Sequence, residues 1–170
     1  VAELIKDIDA EGRYKEILAD VKETLAEDYK PVYEVEQFIK NKDPRIDKDA
    51  NKQKVTDAQA KMQADYELYT VRLANYTKAY KALDDFQKRL STVEDGMKEI
   101  GNTEYNDEIS EIKDLLNAID NEFQQGMKDD KDLPDWSEKK SNVETLLVNL
   151  ETKTQATLAN YNAWQGLLGQ

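Results

Sequence analysis

The side chains that carry most protein chemistry are thinly supplied in this sequence. His and Cys are both absent. That removes the commonest general base, the commonest zinc ligand, the thiol nucleophile, the Glu-x-x-His pair of di-iron bundles and any disulfide framework. Carboxylates, phenols and indoles remain. The stretch DKDANKQKV, Asp47 to Val55, opens like a calcium loop, with Asp47, Asp49 and Asn51 at positions one, three and five. Position six is Lys52 where the turn needs Gly, and position twelve is Ala58 where the bidentate Glu belongs, so no metal site is expected. Asp84-Asp85 and Asp129-Asp130 pair carboxylates in the manner of acid–base catalysts. With 35% of residues charged, adjacent acids arise by chance and are expected on solvated faces. There is no Gly-rich phosphate loop, no Gly-x-Ser-x-Gly and no supported Ser–Lys motif. These absences predict a protein that is not an enzyme and takes no cofactor.

The aromatic residues are the richer signal. In DYELYTVRLANYTKAYKAL, Asp65 to Leu83, Tyr66, Tyr69, Tyr76 and Tyr80 recur with Leu73 filling the gap, at steps of three, four, three and four. Such a stripe has two readings. Tyrosines at helix-seam positions bury their rings in a bundle core and leave the hydroxyls near its edge. Alternatively, the row is an aromatic groove for sugar rings or glycan strands, a reading favoured by the number of tyrosines where Leu would pack as well. Trp136 and Trp164 stand near opposite ends of a predicted helix, either plugging the bundle ends or forming a ligand mouth or partner contact. Tyr66, Tyr69, Tyr76, Tyr80, Trp136 and Trp164 are therefore the candidate ligand-binding residues. The sequon Asn75-Tyr76-Thr77 falls mid-helix on this seam and reads as coincidence.

The elements that must position these side chains follow from hydrophobic periodicity. A first helical segment is predicted from about Ala2 to Asn41, with Leu4 and Ile8 upstream of a stripe of Tyr14, Leu18, Val21, Leu25, Val32, Val35 and Ile39. Asp28 holds the slot before Val32, Gly12 weakens the helix and Pro31 kinks it. Asn41 to Lys52, with Pro44, reads as a loop in which Asp47 or Asp49 caps the next helix. The second helix carries Val55, Gln59, Met62, Tyr66, Tyr69, Leu73, Tyr76, Tyr80, Leu83, Gln87, Leu90, Val93, Met97 and Ile100 in alternating steps of four and three. Ala58 and Phe86 flank the two Gln slots. Gly101-Asn102 stops this helix. A third helix is expected from Thr103 to Gln125, ending at Gly126, with Tyr105, Ile109, Ile112, Leu116, Ile119 and Phe123 on its seam. The fourth runs from Asp135 to Leu168, opened by an Asp135/Glu138 capping box beside Pro134. Its seam is Trp136, Val143, Leu147, Leu150, Tyr161, Trp164 and Leu168, with Lys140, Thr154 and Thr157 in core-type slots.

Seams repeating every 3.5 residues wind helices gently around partners. Short connections make sequential helices antiparallel. The fold class expected is all-α: an elongated antiparallel three- or four-helix bundle with coiled-coil-like packing, one domain over residues 1–170. Six Gly, three Pro and 39% apolar residues fit long helices with solvated faces. A formal net charge of −12 repels phosphate, so neither nucleic acid nor an anionic membrane surface is an expected partner. No apolar run is long enough to span a bilayer. The chain opens at Val1 without Met, inside a helical pattern, as expected of a chain whose targeting segment has been removed.

AKMQADYELYTVRLANYTKAYKALDDFQKRL, Ala60 to Leu90, resembles the Tyr-rich central helix of the putative cell-wall-binding lipoproteins of Gram-positive bacteria, the YkyA-type family. LETKTQATLANYNAWQGLL, Leu150 to Leu168, resembles that family's ending, and DLLNAIDNEFQQ between them is compatible. The resemblance covers about a third of the chain. It does not extend over the first 50 residues, and the family's lipidated Cys is absent, as in a chain trimmed after its lipobox. It implies an all-helical, surface-anchored envelope protein with no catalytic residues. The expected function is a non-catalytic binding or spacer module of the bacterial cell surface, extracellular and lipid-anchored upstream, whose partner is a cell-wall polymer or another envelope protein. The alternatives are the extracellular sensing bundle of a membrane receptor and an intracellular coiled-coil scaffold.

Overall fold

The computed structural model describes residues 12–42 and 48–169. The expected seam positions Leu4 and Ile8, the loop proline Pro44 and the capping and calcium-loop candidate Asp47 lie outside the described residues. Among the described residues there are four α-helices and no strand: α1 (Lys15–Lys40), α2 (Lys48–Glu99), α3 (Asn106–Lys128) and α4 (Ser137–Leu168). The protein is an all-α structure of helices packed on helices, as the heptad spacing predicts.

The helix bounds differ from the expected ones in informative ways. Residues 12–14 form a bend and turn, so α1 starts after Gly12 rather than running through it. It then continues through Pro31 to Lys40. The connection after α1 is shorter than predicted, because Lys48 to Lys52 already belong to α2; Asp49 sits in its first turn, where a carboxylate complements the helix dipole. The helix α3 passes through Gly126 and ends at Lys128. At the start of α4, Trp136 is the N-cap and makes no side-chain cap bond. Asp135 lies one residue upstream, where its carboxylate accepts the Ser137 N–H at 3.1 Å together with the Ser137 hydroxyl.

Two helices end alike. After α2, the Gly101 N–H bonds the Lys98 carbonyl and the Asn102 N–H bonds the Met97 carbonyl, with Gly101 at φ +66°. After α3, the Asp130 N–H bonds the Met127 carbonyl and the Lys131 N–H bonds the Gly126 carbonyl, with Asp130 at φ +52°. Both are paired terminal closures that need a left-handed residue. Glycine takes that conformation freely, whereas Asp takes it at a cost.

The helices gather into two compact units. The first comprises the described residues up to Asn75 with Gly126–Asp132. There α1 runs antiparallel to the front half of α2, as the pairs Thr24–Tyr69, Asp28–Lys61 and Glu34–Lys54 show. The second unit comprises Tyr76–Gln125 with Leu133–Gln170 and is a three-helix arrangement. In it α3 is antiparallel to both other helices, through Glu94–Lys113, Glu122–Lys139 and Glu108–Lys153. The helices α2 and α4 run parallel, with Arg89 meeting Glu144 and Glu151. Its core is Tyr76, Ala79, Tyr80, Leu83, Phe86, Leu90, Val93 and Met97 from α2, with Ile109, Ile112, Leu116, Ile119 and Phe123 from α3 and Val143, Leu147 and Leu150 from α4. Burial of such side chains stabilises by about 1.5–3 kcal/mol each before entropy is counted. Phe86, not Gln87, takes the seam slot, and Ala58 replaces Gln59 in the same way. Thr154 holds its core slot because its hydroxyl donates to the Leu150 carbonyl at 2.8 Å.

Candidate functional site

The tyrosine row divides between the two units. Tyr76 and Tyr80 are fully buried in the second, each edge-on to Phe123, with ring centroids 6.5 and 5.2 Å apart. Phe123 stands edge-on in turn to Trp136 at 5.1 Å. This aromatic cluster is packed interior with no face open to a ligand. Trp136 belongs to it, and its ring carries the Lys140 ammonium at 5.5 Å on the outer side. Trp164 lies far from this environment in character: it is exposed, as are Tyr161, Leu167 and Leu168, although all but Leu167 hold predicted seam positions.

In the first unit Tyr69 is buried, and its hydroxyl anchors a polar network. It donates to the Asp130 carboxylate at 3.0 Å and lies 3.2 Å from the Thr24 hydroxyl. Arg72, one turn further along α2 and itself buried, donates through Nε to Asp132 at 2.9 Å and through an Nη to Asp130. Its guanidinium lies 5.2 Å from the Tyr69 ring centre. Burial pulls the Arg72 guanidinium down, and the Asp132 and Asp130 carboxylates more than offset it, so the group is held above its ordinary value. Burial pushes the Asp20 carboxyl up, and Asp130, Glu16 and Glu23 add to this while Arg72 opposes it. Asp130 is exposed, as expected of a solvated face, and is also a network member. This network secures the α3–α4 connection against α2 and offsets the left-handed backbone at Asp130.

Tyr66 is the row member set on an opening. It is half-buried and lines a groove between α1 and α2 of about 430 Å³ with Leu25, Gln59, Met62 and Gln63. Leu25 and Met62 give the groove an apolar floor. Gln59 and Gln63 put carboxamides at its rim, the latter donating to Glu67 at 2.8 Å. Among the described residues no charged side chain lines it. A half-exposed phenol ring beside two amides can pack against the C–H face of a neutral polyol while the amides bond its hydroxyls. A second groove, about 290 Å³ between α2 and α3, is lined by Gln87, Leu90, Ser91, Glu94, Lys113, Leu116 and Asn117, and the 2.7 Å Glu94–Lys113 ion pair lies across it.

Of the six predicted site residues, Tyr66 lines the groove between α1 and α2. Tyr69, Tyr76, Tyr80 and Trp136 are interior, and Trp164 is on the surface of α4. Neither Gln59 nor Gln63 is among the residues predicted to bind, although Gln59 in a seam slot signals that the seam opens to water there. Nor is Arg72, whose partners are 58 and 60 residues away in the chain. Among the described residues no group of three or more carboxylates is placed to hold a metal ion, and no helix is long and apolar enough to cross a membrane. In comparison with known proteins, no family model, no curated protein and no solved structure matches the chain.

Proposed function

We propose that this chain is a non-catalytic helical module of the bacterial cell surface that binds a neutral glycan strand of the cell wall through the groove at Tyr66. The observation that carries the reading is the groove's make-up: an aromatic ring, two carboxamides, an apolar floor and, among the described residues, no charge. Its volume lies in the range of small-molecule sites. The net charge of −12 disfavours phosphate-rich wall polymers and leaves neutral sugar polymers as the compatible partner. The partial resemblance to the wall-binding lipoproteins supports an extracellular, lipid-anchored setting, with the helices acting as a spacer as well as a binder.

The test is co-sedimentation of the folded chain with purified cell walls, before and after removal of their anionic polymers. The expected result is binding that persists or strengthens after removal and is lost in Tyr66→Ala, with α-helical circular dichroism unchanged. Binding that disappears with the anionic polymers, or that Tyr66→Ala leaves intact, contradicts the proposal.

A further inference from the structure

The last turns of α4 outrun their partners. Near the end of the packed part of α4, the Thr157 hydroxyl lies 2.8 Å from that of Tyr105, just before α3. Leu158 packs beside Gly96 near the end of α2. From 159 to 169 every residue is exposed, although the helix continues to Leu168. Tyr161 is 39% exposed, Trp164 65%, Leu167 61% and Leu168 79%.

Two features of this overhang bear on what could cover it. The first is register. Val143, Leu147, Leu150, Thr154 and Thr157 form the stripe packed inside the second unit, and Tyr161, Trp164 and Leu168 extend it at the same four-and-three steps. A sustained heptad stripe is the complement of another helix, whose side chains it interleaves, and not of a flat surface. The second is charge. Residues 154–170 contain no Asp, Glu, Lys or Arg, in a chain where 35% of residues are charged and the net charge is −12. Two such chains repel wherever carboxylates meet. Here a second copy can approach with no like charge in the contact.

We propose that this overhang is a self-association surface: two copies pair their α4 ends as antiparallel helices, Tyr161 of one facing Trp164 of the other. Antiparallel pairing places the same patch on both partners, as a closed two-fold dimer requires. The four exposed side chains on each copy cover roughly 1,000 Å² in total, the lower edge of specific interface sizes. The dimer is therefore weak, with a dissociation constant between about 1 μM and about 1 mM. This surface is separate from the Tyr66 groove, and its use does not depend on glycan binding.

Sedimentation equilibrium across that concentration range is the test, with vesicle flotation on phosphatidylcholine as a parallel arm. The expected result is a monomer–dimer equilibrium that tightens with added salt, as self-repulsion is screened. Trp164→Asp should weaken it at least about tenfold, and Leu168→Asp likewise. Val71→Asp, at an exposed apolar residue elsewhere (60% exposed), should leave it unchanged. Circular dichroism keeps the variants interpretable, since the substituted side chains are outside the core. A chain that stays monomeric throughout overturns the proposal, as does a dimer indifferent to Trp164→Asp. Monomers that float with vesicles through Trp164 overturn it in favour of a bilayer as the occupant.

Discussion

Tyr66 and Tyr76 share one helix and one seam in the sequence, yet the structure gives them opposite environments. Tyr76 is enclosed and packed edge-on to Phe123, while Tyr66 borders an open groove. Truncating Tyr76 leaves a cavity in a three-helix core, so Tyr76→Ala should cost about 3–5 kcal/mol in chemical denaturation. Tyr66→Ala removes a half-solvated ring and should cost about 1 kcal/mol or less. Equal losses from the two substitutions would mean that Tyr66 is core. Glu94 offers a residue-scale test of electrostatics. The Lys113 and Lys98 ammoniums hold its carboxyl below the ordinary value of 4.5. A carboxyl depressed in the folded state stabilises above its unfolded pKa, and that contribution is lost as pH falls below about 4.5. Glu94→Gln should therefore cost about 0.5 kcal/mol at neutral pH and almost nothing in strong acid, the difference read from denaturation midpoints at the two pH values. A cost independent of pH would assign the effect to packing.

At the scale of elements, the heptad pattern locates the four helices of the described residues because the spacing of apolar residues is local information. The helix ends were less legible. Gly126 looks like a stop signal, but the helix α3 continues to Lys128 and closes on Asp130. What tips the balance is a set of side chains on α2, Tyr69 and Arg72, that hold the Asp130 carboxylate, and no window around Gly126 contains them. The heptad spacing places Tyr161, Trp164 and Leu168 on a packed seam, yet all three are exposed, because whether a stripe is covered depends on how far the neighbouring helices reach. The candidate site shows the same limit: periodicity marks Tyr66 and Tyr76 alike, and only the packing around each separates groove from core. Pro31 gives the element-scale prediction. It sits inside α1, where its ring removes one backbone hydrogen bond. Pro31→Ala should restore the bond and raise stability by about 1–3 kcal/mol. A neutral or destabilising outcome would show that the packing of α1 depends on the distortion the proline imposes.

At the scale of the whole molecule, the chain combines two helical units with a formal net charge of −12. Many ion pairs join the helices, Arg89 with Glu144 and Glu151 and Lys153 with Glu108 among them. Exposed pairs of this kind contribute little each. Long-range repulsion among the unpaired carboxylates should dominate the salt response. Raising salt from about 10 mM to about 0.5 M should therefore raise Tm by a few degrees, measured by thermal circular dichroism; a falling Tm would show that the inter-helix ion pairs outweigh the repulsion. On the proposed function, the same charge excess leaves uncharged surfaces as the places where a partner would settle. The Tyr66 groove is one such surface. The most direct measurement is amide chemical-shift mapping by NMR during titration with a neutral soluble cell-wall oligosaccharide. The account predicts saturable shifts centred on Leu25, Gln59, Met62, Gln63 and Tyr66, with the amides around Tyr76 and Phe123 unmoved. Shifts centred on any other surface, or none at millimolar sugar, would contradict it.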